Sequence, residues 1–383
     1  MKALFIPCGI GMGHASRSLA VAQKLEQGGF EVLFASYGEG YHFLGEFTDY
    51  QPVELPEIRF YGGAGELDLK YTARKSMDVP FTFLRSIYHE SKIIKKFQPD
   101  VVVADSHYSV PITSRVLGVP CVLISNELQF NFKELYPHDR KMEYLETGLE
   151  RFIQDSAKLA QAIIVPDIPG SQEIPVKIKN KITCTGPLLK KDPGSMPSRV
   201  KLRKSNNLDP SHRVVLATVG GSHFGAKLLR LMAQAVDRIK SHHIILVTGP
   251  HIDTSFLPLP PKVMVKRFLG DMLDWMKLSD LVVSLAGHTT SMELASLGVP
   301  NLMVPIENHP EQMKNALNMQ KFGISRIRDM KDLSPGKLAE DINYLLESDD
   351  LRLGASTTKK KFQEYQGTKE AVNIIRCCAQ GLG

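Results

Sequence analysis

The stretch SLAGHTTSMELASLGVPNLMVPIENHPEQ, residues 284–312, decides the fold. It divides into a strand end, a glycine turn, a helix, a second strand and a polar loop. The apolar run Leu281–Leu285 has the length of a buried strand, and Gly287 supplies the turn after it. His288, Thr289 and Thr290 fall where the next helix begins. Hydroxyls and unbonded backbone N–H groups therefore face past the strand end, an arrangement that suits phosphate. Glu293 lies one turn in, too early for comfortable burial and well placed to accept hydrogen bonds from vicinal sugar hydroxyls. Val299–Val304 reads as the next strand, and Glu311 and Gln312 lie in the loop beyond it. A donor–acceptor pair at a strand's carboxyl edge suits polyhydroxylated ligands. Each residue also has a plainer use: threonines cap helices, and a first-turn glutamate complements the helix dipole. Their conjunction in one strand–helix–strand unit favours a ligand site.

Outward from this stretch, the same alternation recurs. Val214–Val219 reads as a strand, followed by Gly220-Gly221-Ser222 and a helix from about Ala226. Ile244–Thr248 and Val263–Arg267 are further strands, the latter followed by Phe268. At the amino terminus, Ala3–Cys8 is a buried-type strand and Gly9–His14 a glycine loop. A helix over Ser16–Gln27 and a strand over Phe30–Ala35 complete the doubly wound signature. Val101–Ala104 closes on Asp105, with His107 two residues beyond. Val119–Ile124 ends in Ser125-Asn126-Glu127. Arg59–Met77 is polar and glycine-bearing, and reads as a mobile surface loop. Two halves, each opening with a buried strand and a glycine turn, place one domain at 1–187 and a second at 188–360. The mixed segment Leu188–Lys204 serves as linker, and 361–383 forms a terminal helix.

The loop Gly9–His14 is not a dinucleotide fingerprint. Its sixth position is His rather than Gly or Ala, and the second strand ends without a carboxylate for a ribose hydroxyl.

A chain of 383 residues fits two domains of ordinary size, and 43% hydrophobic with 23% charged residues is a soluble globular composition. The net charge of +6 is too diffuse to argue for nucleic acid. Five cysteines without C-x-x-C spacing argue against a zinc site or a disulfide framework, so a reducing cytoplasm is the expected home. No run approaches 18 uninterrupted apolar residues, the length a membrane span needs.

Gly287–Thr290, Glu293 and Glu311-Gln312, with Gly220-Gly221-Ser222, resemble the nucleotide-sugar signature of GT-B glycosyltransferases. The likeness is strongest to the MurG-like family 28 enzymes within the wider UDP-glycosyltransferase superfamily. It covers essentially the whole chain, tightly across residues 271–322 and 1–25. It implies an α/β GT-B fold, two Rossmann-like doubly wound parallel-sheet domains facing across a cleft, with the last helix crossing back to the first domain. It places the donor diphosphate at Gly221, Ser222, Gly287, His288, Thr289 and Thr290, and the ribose on Glu293. It assigns the donor sugar to Glu311 and Gln312, the base to Phe268, and the acceptor loop to Gly11 and Gly13. Three departures stand out. Glu311 replaces a Gln of the MurG pattern, and Leu285 stands where plant-type enzymes carry a phosphate-contacting His. Asp105 falls where MurG is glycine-rich, and looks instead like the histidine–aspartate pair of plant-type transferases.

His14 is the candidate base. Sugar transfer needs an acceptor hydroxyl deprotonated as it attacks the anomeric carbon, and neutral imidazole suits that near pH 7. Asp105 would orient it, with His107 as a substitute partner. The plainer reading of His14 is a helix cap or a phosphate contact. The expected activity is inverting transfer from a UDP-sugar to an acceptor hydroxyl, lipid-linked acceptors included. No cofactor or metal is expected, there being no Asp-x-Asp. A UDP-GlcNAc 2-epimerase-like enzyme and a non-catalytic nucleotide-sugar-binding protein remain alternatives. The expected location is cytoplasmic, with the basic face of Phe81–Phe97 resting on an inner membrane surface.

Overall fold

The computed structural model describes residues 1–57, 62–63, 66–67, 79–129, 138–221, 223–249, 252 and 260–382. Most of the expected loop Arg59–Met77, and the candidate Ser222, lie outside the described residues. The chain divides into two compact units. One comprises Met1–Phe60, Lys70–Lys190 and Tyr365–Gly383, the other Tyr61–Leu69 and Lys191–Glu364.

In the first unit the elements run β1 (Lys2–Pro7), α1 (Gly13–Glu26), β2 (Glu31–Ser36), α2 (Gly38–Phe47) and β3 (Val53–Glu54). A two-residue antiparallel ladder follows, β4 (Gly62–Gly63) with β5 (Glu66–Leu67), which groups with the second unit. Then come α3 (Val79–Phe97), β6 (Val101–Asp105), α4 (Val110–Leu117), β7 (Cys121–Ile124), α5 (Arg140–Leu159), β8 (Ala162–Val165) and β9 (Ile182–Cys184). The sheet order is β3-β2-β1-β6-β7-β8-β9, with every pairing parallel. Both faces of such a sheet are covered, which is why β1 and β6 are apolar at consecutive residues rather than alternating. Ala3–Ile6 and Val101–Ala104 are buried throughout. Leu19, Ala22 and Leu25 turn the apolar side of α1 inward.

The second unit contains α6 (Arg199–Ser205), β10 (Val214–Thr218), α7 (Ala226–Ala235), β11 (His243–Val247), β12 (Val263–Lys266), α8 (Met272–Leu278) and β13 (Leu281–Ser284). It continues with α9 (His288–Leu297), β14 (Asn301–Met303), α10 (Pro310–Lys321), β15 (Ser325–Ile327), α11 (Pro335–Glu347) and α12 (Asp349–Phe362). Its sheet is also parallel throughout, in the order β12-β11-β10-β13-β14-β15. The last helix, α13 (Gly367–Ala379), belongs to the first unit and packs on α1.

Both strand orders reverse direction once. In the first unit the chain winds outward from β1 through β2 and β3, then resumes at β6 on the other side. In the second it winds from β10 through β11 and β12, then resumes at β13. Ligands of doubly wound sheets gather at the carboxyl ends of the strands flanking such a reversal. These edges are the β1/β6 pair and the β10/β13 pair, and they carry the Gly9–His14 loop, Asp105, Gly220-Gly221 and the Gly287–Thr290 turn, while Phe268 follows β12 and Glu311-Gln312 lie beyond β14.

The expected linker Leu188–Lys204 contains most of α6, the expected terminal helix 361–383 is α13, with α12 ending at Phe362 before it, and two boundaries at the candidate site differ as well. Helix α1 starts at Gly13 rather than Ser16, because the turn is taken earlier, at Gly11 (φ +69), and Ser16 N already donates to Met12 O at 2.9 Å. Helix α10 starts at Pro310, so Glu311 and Gln312 lie in its first turn rather than in a loop. Proline's preset φ suits the first helical position, and its missing N–H would be unpaired there anyway.

Candidate active site

At the first unit's edge, the β1/β6 register sets Pro7 opposite Asp105, and Cys8 N donates to Asp105 O at 2.8 Å. The chain must then turn sharply off β1. No side chain fits at Gly9, where a Cβ would lie 1.8 Å from the Tyr37 carbonyl oxygen. Gly11 takes the left-handed conformation, and its N–H donates to Glu39 Oε2 at 3.3 Å. Gly13 opens α1 directly after this loop. His14 and Arg17, three residues apart on α1, share a face, and both point at Asp105.

The geometry there is dense. His14 Nδ1 lies 2.9 Å from Asp105 Oδ1. Arg17 forks onto the same carboxylate, Nε to Oδ2 at 2.7 Å and Nη2 to Oδ1 at 2.5 Å. Ser18 Oγ donates to Oδ2 at 3.1 Å, and Arg17 Nη1 donates to Asn126 Oδ1 at 2.7 Å. Burial by itself would raise the carboxyl of Asp105. The charge and hydrogen bonds of Arg17, followed by those of His14, outweigh it and hold the group at about 2. A carboxylate facing a ring nitrogen requires a proton between them, so His14 carries N–H at Nδ1. Its lone pair is then at Nε2, the arrangement of a general base. The imidazole is partly open, with 21% of its side chain exposed.

Arg17 and Ser18 escape a motif-based reading. The available signal was a charged residue one turn after His14, on the side of the helix that carries Ala20 and Val21 inward. His107 is not a substitute partner. It is buried against the Tyr37 ring, with Nδ1 3.1 Å from Ser109 Oγ, and burial keeps it below the usual histidine range. Asn126 is held by Arg17, while Glu127 offers its backbone carbonyl to the Tyr108 hydroxyl at 2.9 Å.

At the second unit's edge, Thr218 pairs with Ser284, so the turns leaving β10 and β13 are neighbours. Gly220 is left-handed (φ +66), and Gly221 is buried beside it. After β13 the left-handed residue is Ala286 (φ +63), not Gly287, which is extended at φ −61. An alanine in that region is strained by about 1–3 kcal/mol. The buried Asn315 holds it, donating Nδ2–H to the Ala286 carbonyl at 3.1 Å. Gly287 has a different reason to be glycine. Apart from its chain neighbours, a Cβ there would meet no atom of the described residues within 4 Å, so the space it leaves open lies in front of the helix start.

Helix α9 begins at His288 with no side-chain cap at Gly287 and no acid in its first turn. His288 is buried, and Thr289 and Thr290 are half-buried on that turn. Glu293 follows, half-buried, with no hydrogen bond or ion pair among the described residues, and burial pushes its carboxyl up to about 8. Gln312 uses its side-chain oxygen to accept the Ile306 N–H at 2.9 Å, which leaves its amide N–H2 without a partner among the described residues. Glu311 precedes it on the same turn. Phe268 is half-buried, two residues past β12.

Residues 1–193 match the glycosyl transferase family 1 profile, and residues 215–371 match the glycosyltransferase family 28 C-terminal domain. The chain belongs to the glycosyltransferases of family 1/family 28 type. Among relatives of this glycosyltransferase, an uncharacterized glycosyltransferase of Methanopyrus kandleri is 29% identical over 93% of this chain and 98% of its own length. A Clostridium botulinum UDP-N-acetylglucosamine–N-acetylmuramyl-(pentapeptide) pyrophosphoryl-undecaprenol N-acetylglucosamine transferase is 25% identical over 98% and 99% of the two chains. The solved glycosyltransferase of kitacinnamycin superposes with a TM-score of 0.69 at 19% identity, covering 98% of each chain. The glycosyltransferase here therefore has the GT-B fold.

Proposed function

We propose that this glycosyltransferase moves a sugar from a nucleotide-diphosphate donor of the UDP class to an acceptor hydroxyl, with inversion. The observation that carries the reading is the Asp105–His14 pair, with Nδ1 committed to the carboxylate and Nε2 left as the basic nitrogen. The acceptor oxygen attacks the anomeric carbon and its proton passes to His14 Nε2. The bond to the diphosphate breaks on the opposite face, and the leaving oxygens are met by amide N–H groups at Gly221 and at the start of α9. Glu293 takes the ribose hydroxyls, Gln312 and Glu311 the donor sugar, and Phe268 lies by the base. In this reading residues 1–187 serve the acceptor and 188–360 the donor. The charge on the leaving group is met by peptide dipoles without a metal ion. The name of the Clostridium relative supports a UDP-sugar and a lipid-linked acceptor.

A membrane setting has support in α3. Phe81, Leu84 and Tyr88 are exposed, and they continue along one side of the helix into Lys92, Lys95 and Lys96. The Lys92 ammonium lies 4.3 Å from the Tyr88 ring centre. Inserted rings with flanking cations suit an anionic bilayer surface. No helix among the described residues is long and apolar enough to cross a membrane. The proposed location is the inner, cytoplasmic face.

The deciding experiment measures UDP release from candidate UDP-sugars, with and without polyprenyl-linked and soluble hydroxyl acceptors, in the presence of EDTA. Acceptor-dependent release supports the proposal. Sugar isomerisation without acceptor, or binding without turnover, overturns it.

A further inference from the structure

We propose that Arg17 is a positioning residue for His14: its guanidinium holds Asp105 as an anion while cancelling its charge, so the neighbouring imidazole stays neutral with Nε2 open. The inference rests on the assignment of His14 as the base of the transfer reaction.

A buried carboxylate with no counter-charge raises the proton affinity of the ring beside it. The more it does so, the smaller the share of rings left neutral to take the acceptor's proton. Here the buried charges are different. Arg17 is 3% exposed and forks onto Asp105 through Nε and Nη2, so carboxylate and guanidinium together carry no net charge. A proton arriving on His14 then makes the cluster cationic, with Arg17 Nη2 only 3.0 Å from the ring nitrogen Nδ1.

The same geometry sets the tautomer. The ionised oxygens of Asp105 only accept, so Nδ1–H donates to Oδ1, and Arg17 Nη2, 3.0 Å from the same ring nitrogen, donates to Oδ1 as well. Asp105 is saturated, with His14 and Arg17 on Oδ1 and Arg17 and Ser18 on Oδ2, and this holds its orientation. A third anchor, from Arg17 Nη1 to Asn126 Oδ1 at 2.7 Å, fixes the guanidinium plane. Arginine rather than lysine is required because a single ammonium cannot fork onto the carboxylate and reach Asn126 together.

The test is nitrogen-15 NMR of histidine-labelled full-length protein, with the His14 signal assigned by its loss in His14→Gln. The readouts are the pH midpoint of the His14 ring signal and the acid limb of kcat/KM. Arg17→Met moves the midpoint upward by one pH unit or more, and Arg17→Lys recovers part of that shift. If Arg17→Met does not fold, Asp105→Asn is compared with Arg17→Met/Asp105→Asn. The lone arginine charge then sets the midpoint of the single variant at least one unit below that of the double. An unchanged midpoint in whichever pair folds overturns the assignment. The NMR readout needs no turnover. Shifted midpoints without transfer activity remove the transferase reading and keep Arg17's role, whereas transfer activity with flat midpoints does the reverse.

Discussion

His14 Nδ1 and Asp105 Oδ1 stand 2.9 Å apart across 91 residues of sequence. What joins them is the adjacency of β1 and β6. One strand delivers the carboxylate at its last residue, and the other feeds the helix that carries the imidazole. The contact belongs to the reversal point of the sheet and exists only once the β1–β6 pairing has formed.

Replacing His14 by alanine is expected to slow transfer by roughly 10²–10⁴ while leaving donor affinity unchanged, because the proposed donor contacts all lie in the second unit. Steady-state kinetics beside calorimetry of UDP binding separates the two. Parallel loss of both would recast His14 as a phosphate contact.

Asp105 ties stability to pH. Its folded value, about 2, lies below the unfolded one near 3.8, so the stabilisation is fully present above about pH 4. It disappears as pH falls through 2, and amounts to roughly 2 kcal/mol. Chemical denaturation across pH 2–6 should show this slope in the native chain and a shallower one in Asp105→Asn. Equal slopes would mean the carboxylate is not held as described.

Glu293 has the opposite sign. Its folded value, about 8, lies above the ordinary carboxyl value near 4.5, so the folded chain retains a proton that the unfolded chain has lost. Between these values stability falls as pH rises, and Glu293→Gln should flatten that fall. If ribose hydroxyls donate to the ionised carboxylate, UDP binding at pH 7 releases close to one proton, and affinity rises towards pH 8. Calorimetry in buffers of different ionisation enthalpy reads the release directly. Glu293→Gln should abolish it and weaken binding by about 1–3 kcal/mol. Identical proton release in the variant would remove Glu293 from the ribose site.

Gly287→Ala tests whether the open space before α9 belongs to the ligand. The backbone there is extended, and the new methyl meets nothing among the described residues. The unfolding free energy should therefore change by less than about 1 kcal/mol. UDP affinity should drop about tenfold or more as the methyl enters the diphosphate space. Undiminished affinity in a stable variant would place the phosphates elsewhere.

The strand–turn–helix units were legible because they depend on short-range chemistry. Consecutive apolar residues mark strands covered on both faces, and glycines mark the turns that leave them. Boundaries were less legible where the turn chemistry was subtle. Gly287 looked like the residue that bends the chain, yet Ala286 does so, held by an asparagine 29 residues away. Pro310 starts α10 earlier than the polar sequence suggested. Helix α3 shows another limit of local pattern. Its apolar Leu84 and Tyr88 are exposed, while the side turned inward carries Ser86, Glu90 and Ile94. The carboxylate of Glu90 is fully buried there, bonded to Ser109, just before α4, and to Thr113 within it.

By itself the sequence determined two parallel α/β units, the turns at their strand ends, and which polar residues stand on those turns. Each of these follows from a periodicity or a backbone preference spanning a few residues. The resemblance already paired His14 with Asp105, but the contact itself and the added partners Arg17, Ser18 and Asn126 came only from tertiary structure. Strand order set His14 against Asp105, helix packing buried Arg17 over both, and the depth of α9 left Glu293 desolvated, with no partner among the described residues. Pairing order and burial are long-range properties of the whole chain, and no local pattern encodes them.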